Sequence, residues 1–186
     1  MEKPISSRRS FIAKTSLAVV GTTLLTSASS FATIIGETIP FKGYRPTLEF
    51  NNDLRTLFSE KTLKISGTLF TSESNLEPCA NATIEVWHLS PNSKEYNHKG
   101  KFMTDENGTY TFYTDFPNRK EGFKPRVFFK VTAERKTVFT ELVIDTHQTL
   151  ITHKHWEQHN KLGENLFPIY KPSNTEGTIQ FNFIIN

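Results

Sequence analysis

Apolar and polar residues alternate through most of residues 62–186, and a period of two is typical of β-strands. The clearest example is residues 82–89, where one face holds Ala82, Ile84, Val86 and His88 and the other holds Thr83, Glu85, Trp87 and Leu89. A strand with one buried face requires this alternation. The pattern predicts strands over residues 63–70, 82–89, 100–104, 109–114, 126–131, 138–144 and 179–185. About seven short strands separated by turn residues predict an all-β fold, an antiparallel β-sandwich.

Residues 81–114 are the unit around which we expect the chemistry of the chain. The strand 82–89 is followed by a polar loop that holds Tyr96, and residues 104–108 predict a turn. Its Asn107-Gly108 pair supplies the positive φ that brings the chain back as the strand 109–114.

Two stretches lack a sustained period. Residues 33–61 mix glycine, proline and charge, which predicts an extended entry segment with a short helical turn near residues 53–58. Residues 145–176 predict one long irregular region between the last two strands, and it carries four histidines: His147, His153, His155 and His159. Long insertions between strands often carry function, but they are also simple excursions of the chain. The composition leaves both interpretations open.

The first 32 residues have the layout of an export signal. Arg8-Arg9 precedes Phe11, an apolar run covers residues 17–25, and small residues follow up to Ala32. An arginine pair with phenylalanine two positions on is typical of twin-arginine signals, and an ordinary secretory leader is the alternative. We therefore predict a signal peptide over 1–32, the entry segment over 33–61 and the sandwich over 62–186. The leader implies a bacterial protein that is periplasmic or secreted.

Charge and composition exclude several partners. The formal net charge is +3, but residues 1–14 carry all of it, and 18 basic and 18 acidic residues remain. A neutral domain gives no electrostatic case for nucleic-acid binding. No run reaches the roughly 18 apolar residues of a membrane span. Cys79 is the one cysteine of the chain, so no intrachain disulfide is expected, and we predict a small buried side chain there.

Several motifs occur together in a recognisable order. They are Ile65-Ser66-Gly67-Thr68-Leu69, residues 78–88, Tyr96, residues 104–112, Phe129-Lys130-Val131 and Thr140-Glu141-Leu142. In order and spacing the chain resembles the intradiol ring-cleavage dioxygenases, the protocatechuate and catechol type, over most of residues 62–144 and more weakly at the C-terminus. The resemblance implies a β-sandwich that holds a non-haem Fe(III) ion through two tyrosines and two histidines, with an arginine nearby. Hard phenolate oxygens and imidazoles suit a ferric ion.

Most of the family's iron ligands have no counterpart here. Tyr96 matches the first tyrosine and is the sole match to the metal ligands. The second tyrosine should follow a Pro-Gly turn after the hairpin. That turn corresponds to residues 116–122 here, and no tyrosine is present at that point. The histidine positions hold Arg126 and Phe128, and the arginine position holds Phe123. One phenolate does not hold ferric iron, so we assign no catalytic residue and expect no cofactor, with Fe(III) only if the family chemistry survives.

Histidines elsewhere offer replacement ligands. His153 and His155 would share one side of an extended segment, and His155 and His159 would share one face of a helix. Both spacings suit a divalent metal, and exposed loop histidines are the alternative interpretation. We interpret His88, at the end of its strand, as a hydrogen-bonded core or rim histidine rather than a ligand.

Arg126 and Phe128 are the predicted ligand-binding residues. On the strand 126–131 they face the former metal site, close to Phe123, while Val127 and Phe129 face the core. A guanidinium beside aromatic rings can hold a carboxylate or a sugar. The other interpretation, which we prefer from the sequence, is that Phe128 simply fills the vacated cavity.

Three functional hypotheses follow from these observations. The first is an exported dioxygenase-like sandwich without the iron site that acts as a binding or structural module. The second is an active ring-cleaving dioxygenase with atypical ligands, including Tyr96 and loop histidines. The third is a prealbumin-like domain that binds carbohydrate or peptide. The expected partner is a small molecule or a carbohydrate; ligand identity and oligomeric state stay open.

Overall fold

The computed structural model describes residues 41–71 and 76–185, so the leader predicted over residues 1–32 lies outside them. The described residues form twelve strands, one α-helix and one 3-10 helix. The strands are β1 (Asp53–Leu54), β2 (Thr62–Thr71), β3 (Glu77–Pro78), β4 (Thr83–His88), β5 (His98–Met103), β6 (Thr109–Asp115), β7 (Arg126–Ala133), β8 (Lys136–Ile144), β9 (Thr149–Ile151), β10 (Ile169–Lys171), β11 (Glu176–Gln180) and β12 (Phe183–Ile185). The helix α1 (His153–His159) runs into the 3-10 helix Asn160–Leu166. Within these ranges no helix is long and apolar enough to span a membrane.

The strands form two sheets. One has the order β1-β6-β2-β11-β10, with β12 and β3 also paired to β2. The other has the order β5-β4-β7-β8-β9 and is antiparallel throughout. We call them the seven-stranded and the five-stranded sheet. The predicted all-β sandwich is therefore confirmed. Among the described strands, the parallel pairs are those of β1 with β6 and of β11 and β12 with β2.

The core lies between the two sheets and contains the inward residues of every long strand. Its largest buried side chains include four phenylalanines, Phe112, Phe129, Phe181 and Phe183. The ring of Phe129 lies 5.4 Å from that of Phe181 and 5.2 Å from that of Phe183, measured between centroids. Each buried ring contributes roughly 1.5–3 kcal/mol relative to an exposed one. The same alternation that predicted the strands thus builds the core.

The predicted last strand is split into two. Residues 181–182 leave the ladder between β11 and β12, and Asn182 holds the break because its Oδ1 accepts the Thr68 N–H at 2.9 Å and its Nδ2 donates to the Asn165 carbonyl at 2.9 Å. The Phe181 carbonyl lies against Gly67, where a Cβ would come within 1.8 Å of that oxygen. Gly67 is therefore required for the close approach.

The prediction that residues 145–176 are irregular is wrong. They contain β9, α1, the 3-10 helix and β10. Thr152 caps the helix, since its side-chain oxygen accepts the His155 N–H at 3.2 Å. The elements are three to seven residues long, too short for a hydrophobic period to develop.

The helical turn predicted near residues 53–58 is also wrong. Asp53 and Leu54 form a strand that pairs in parallel with β6, and the buried Leu54 side chain reaches the core. A turn follows at residues 57–58.

Candidate ligand-binding cleft

The candidate site lies on the outer face of the five-stranded sheet. In β7, Val127 and Phe129 are fully buried between the sheets, while Arg126 and Phe128 point outward, as the sequence predicted. Phe128 pairs across the sheet with Trp87 of β4 on one side and with Glu141 of β8 on the other. The sheet therefore presents these side chains together as a floor.

Phe128 is the centre of an aromatic surface. Its ring stacks on Trp87 with centroids 5.6 Å apart, and it lies 5.0 Å from Phe41 and 6.2 Å from Tyr96. Phe41, Tyr96 and Phe128 line a cleft with a volume of about 280 Å³, and Trp87 is buried beneath them. Because Phe128 is half-buried on the floor of this open cleft, it does not simply fill a closed cavity. The two predicted ligand-binding residues and the predicted metal residue thus line one cleft.

One wall of the cleft is a segment that no sequence pattern identified. We call residues 41–44 the strap. The Trp87 Nε1–H donates to the Lys42 carbonyl at 3.3 Å, and the ring of Phe41 lies over Phe128. Gly43 has a positive φ, and a Cβ there would lie 2.3 Å from the Tyr96 ring. The strap therefore needs glycine at this position in order to pack against Tyr96.

A partly buried polar triad anchors the strap to the sheet. The Tyr44 hydroxyl donates to the Glu85 carboxylate, 3.1 Å from each oxygen, and accepts from Lys130 Nζ at 3.1 Å. Lys130 Nζ also lies 3.3 Å from Glu85 Oε2. Burial raises the pKa of Tyr44, so the phenol stays protonated as the donor. No sequence pattern predicts this triad, because Glu85 and Lys130 lie 41 and 86 residues from Tyr44.

The cleft carries an excess of positive charge. Its described lining includes Lys42, Arg119, Lys120, Lys124 and Arg126 but one acidic residue, Glu141. Arg126 pairs with Glu141 at 2.7 Å, and Lys124 pairs with Asp145. The Lys124 ammonium lowers the pKa of the Asp145 carboxyl. Lys42, Arg119 and Lys120 form no ion pair with another described residue, so their charges favour an anionic ligand.

The donors in the cleft do not fit a ferric ion. They are the Tyr96 phenol, the Asn118 amide and the Glu141 carboxylate, and the last is held by Arg126. No histidine lines the cleft in the part of the chain that the structure describes. Nor do three or more His, Cys, Asp or Glu side chains of that part converge elsewhere in a way that could hold a metal. The described residues of the cleft therefore do not provide the ligand set that the intradiol dioxygenases use for Fe(III).

His88 is a core histidine, as predicted. It is fully buried, its Nδ1 lies 2.8 Å from the Leu89 carbonyl, and its Nε2 lies 2.6 Å from Thr114 Oγ1. Burial lowers its pKa to about 3. Its neighbour His98, which the sequence did not single out, is buried and bonded to Ser90 and Asp115 at 2.8 and 2.9 Å. Both rings are satisfied structural groups.

His155 and His159 are not exposed loop residues, and that interpretation is wrong for both. They lie four apart on α1, fully buried, with ring centroids 4.3 Å apart. His155 Nδ1 lies 2.7 Å from Thr140 Oγ1, and His159 Nδ1 accepts the Ile184 N–H at 3.0 Å. Burial lowers their pKa values to about 3 and about 4. We call this pair with its aromatic neighbours Phe181 and Phe183 the histidine cap.

His159 does not replace a missing iron ligand. Since His159 Nδ1 accepts a hydrogen bond, its Nε2 carries the proton of the neutral ring and has no lone pair for a metal. The extended pairing predicted for His153 and His155 is wrong, because both residues lie in the helix. His153 is exposed and stacks on Trp156, and His147 is exposed as well.

Comparison with known proteins adds the fold class to this geometry. No protein-family model and no curated protein sequence matches the chain. Solved structures do match: the dioxygenase domain of a dioxygenase carbohydrate-binding protein fusion from Streptomyces sp. SirexAA-E has a TM-score of 0.57 and 16% identity, covering 78% of this chain and 95% of that one. An intradiol ring-cleavage dioxygenase from Tetranychus urticae has a TM-score of 0.58 and 16% identity over 78% and 91% of the two chains.

A third match is more distant in shape. Chlorocatechol 1,2-dioxygenase from Pseudomonas putida has a TM-score of 0.51 and 21% identity, over 72% of this chain and 64% of that one. The class defined by these structures is an all-β sandwich. The chain has the fold of the intradiol ring-cleavage dioxygenases, in agreement with the resemblance of its sequence.

Proposed function

We propose that this protein is an exported, dioxygenase-like binding module that holds a small, negatively charged ring compound in the cleft without using iron. The observation that carries the proposal is the exchange of residues at the former metal site. Where the family has two histidines, β7 presents Arg126 and Phe128, and both line the cleft. A guanidinium and an aromatic ring can hydrogen-bond to an organic ring and stack on it, whereas they do not ligate a metal. The cations of the cleft without an ion-pair partner among the described residues, Lys42, Arg119 and Lys120, supply the charge for an anionic group.

The size and polarity of the cleft support a ligand of this class. Its volume of about 280 Å³ matches a ligand with one ring rather than a peptide segment. Phe41, Tyr96 and Phe128 offer faces and edges on which a ring can stack. Lys120 Nζ lies 5.8 Å from the centroid of the Tyr96 ring, so an ammonium stands beside the stacking surface. A carboxylate on the bound ring would meet this charge.

A metal test separates this proposal from an active dioxygenase. The purified protein is loaded with Fe(III), desalted, and analysed for bound iron and for visible absorption. We expect less than stoichiometric iron and no tyrosinate-to-iron band. A stable coloured complex whose band disappears in Tyr96→Phe would overturn the non-catalytic part of the proposal.

A binding test addresses the cleft itself. Isothermal titration calorimetry with galacturonate and with benzoate measures affinity for the native protein and for Lys120→Gln. We expect the substitution to weaken both ligands by about fivefold, because one charge-assisted contact is lost. The matched control is Lys99→Gln, an exposed lysine outside the cleft. Equal affinities in the two variants would argue against the cleft as the binding site.

Export is a separate part of the proposal and depends on the leader. Replacing Arg8 and Arg9 with lysine tests it in a bacterial host. We expect the precursor to accumulate in the cytoplasm, whereas unchanged export would point to an ordinary secretory leader.

A further inference from the structure

The floor of the cleft contains a charged pair that faces any bound ligand. Arg126 Nη1 donates to Glu141 Oε2 at 2.7 Å, and both residues line the cleft beside Phe128. Glu141 stands directly across the sheet from Phe128, and Arg126 lies two residues before Phe128 in β7. Sheet register therefore fixes the pair in place.

This pairing changes what Arg126 offers to a ligand. Its charge is balanced by Glu141, so the pair presents a guanidinium N–H next to a carboxylate oxygen. A donor beside an acceptor complements two adjacent hydroxyl groups, one of which accepts while the other donates. A second carboxylate at the same point would instead lie against Glu141, with no unbalanced cation on the floor to offset the repulsion.

The remaining charges lie elsewhere on the lining. Lys42, Arg119 and Lys120 are exposed and form no ion pair with the other described residues, so they are available to one anionic group of the ligand. The cleft thus divides into a positive rim and a neutral floor that can both donate and accept hydrogen bonds. The two parts make different demands on the two ends of a ligand.

We infer that Glu141 determines specificity in the cleft: by balancing Arg126 it admits a sugar acid, a ring with adjacent hydroxyls and one carboxylate, and excludes rings with a second anionic group. The inference deepens the proposed binding function and rests on it. Glu141 acts by direct contact with the ligand hydroxyls and through the charge of Arg126.

The test measures a ratio of affinities. Calorimetric titrations with galacturonate, benzoate and phthalate compare the native protein with Glu141→Gln, which keeps the size of the side chain and removes its charge. The native protein is expected to bind galacturonate more tightly than benzoate, and phthalate least. In the variant, phthalate is expected to gain at least about tenfold relative to galacturonate, because Arg126 becomes an unbalanced cation. The matched control, the exposed Glu164→Gln, is expected to keep the native ratio.

Each outcome bears on a defined claim. A native preference for phthalate, or an unchanged ratio in folded Glu141→Gln, overturns the role of Glu141 while leaving the cleft as a binding site. Failure of the native protein to bind any of the three compounds overturns the proposed function and this inference with it. If Glu141→Gln does not fold, the double variant Arg126→Gln, Glu141→Gln removes both charges. Its phthalate-to-galacturonate ratio must then rise at least about threefold, since the repulsion is gone.

Discussion

The cleft and the histidine cap show opposite uses of polar side chains in one small domain. In the cap, His155 and His159 are buried, neutral and packed on Phe181 and Phe183, with each Nδ1 in a hydrogen bond. In the cleft, Arg126, Lys120 and Tyr96 reach a solvent-facing cavity. From residue type alone, the two histidines are the more obvious candidates for catalysis or metal binding. Their surroundings make them packing elements, so the neighbours of a side chain and not its identity decide its role.

Acid should destabilise the folded protein through three buried histidines, two of which form the cap. Burial lowers the pKa values of His88, His155 and His159 to about 3, 3 and 4, below the ordinary 6.5. The unfolded chain therefore binds more protons than the folded one below pH 6.5. The stability that these neutral rings contribute is complete above pH 6.5 and is lost as the pH falls, down to about 4 for His159 and about 3 for His88 and His155. Each histidine contributes roughly 1.4 kcal/mol per pH unit.

Urea unfolding at pH 7 and pH 5 measures this effect. We expect the free energy of unfolding to fall by several kcal/mol, on the order of half of a typical domain's stability. In His155→Phe the free energy of unfolding should change less with pH, by about the contribution of one histidine. An equal pH dependence in that variant would show that the cap does not titrate as its burial requires.

Truncation of the cap should produce the next largest loss. His159→Ala leaves a cavity beside Phe183 and removes the acceptor of the Ile184 N–H. We expect roughly 2–4 kcal/mol of destabilisation in urea unfolding at pH 7. The matched control is His153→Ala on the exposed face of the same helix, where the change should stay within about 0.5 kcal/mol. Similar losses in both variants would contradict the difference in burial.

In the cleft, truncation should reduce ligand affinity more than stability. Phe128→Ala removes the ring on which Phe41, Trp87 and Tyr96 converge, but this side chain is only half-buried. We expect galacturonate affinity to fall at least about tenfold and stability by roughly 1–2 kcal/mol. Calorimetry and urea unfolding on the same sample give both numbers. A large loss of stability with unchanged affinity would make Phe128 a core residue and remove it from the site.

Alternation along the strands was enough to predict most of the fold. In β7 the predicted faces are correct, because buried Val127 and Phe129 alternate with partly exposed neighbours. In β4 the expectation of one buried face is wrong, because residues 84–88 are buried on both faces. The break at Phe181 and Asn182 was not predictable, since it depends on Thr68 and Asn165 far away in the sequence. Helix α1 was not predicted for a related reason. Contacts with β8 and β12 stabilise it, and its own sequence has no helical pattern.

The site was predicted in part. The resemblance pointed to Tyr96, Arg126 and Phe128, and all three line the cleft. It did not point to the strap, because Phe41 and Tyr44 lie in a segment without period and meet the sheet only through tertiary contacts. Glu141 was seen as part of a family motif, but its pairing with Arg126 follows from strand register, which a sequence does not fix by itself.

The strap gives the smallest expected effect. Its Tyr44 is held by polar contacts, as the cap histidines are, but its Phe41 lines the cleft. Tyr44→Phe removes the hydroxyl that donates to Glu85 and accepts from Lys130, while the ring that packs on Trp87 stays. We expect about 1 kcal/mol less stability and a two- to threefold weaker affinity for galacturonate, since the wall that carries Phe41 is held less firmly. Tyr113→Phe is the control, a tyrosine of β6 outside the cleft that should leave affinity unchanged. If Tyr44→Phe costs stability but no affinity, the strap only covers the sheet, and the cleft is built by the five-stranded sheet and its loops alone.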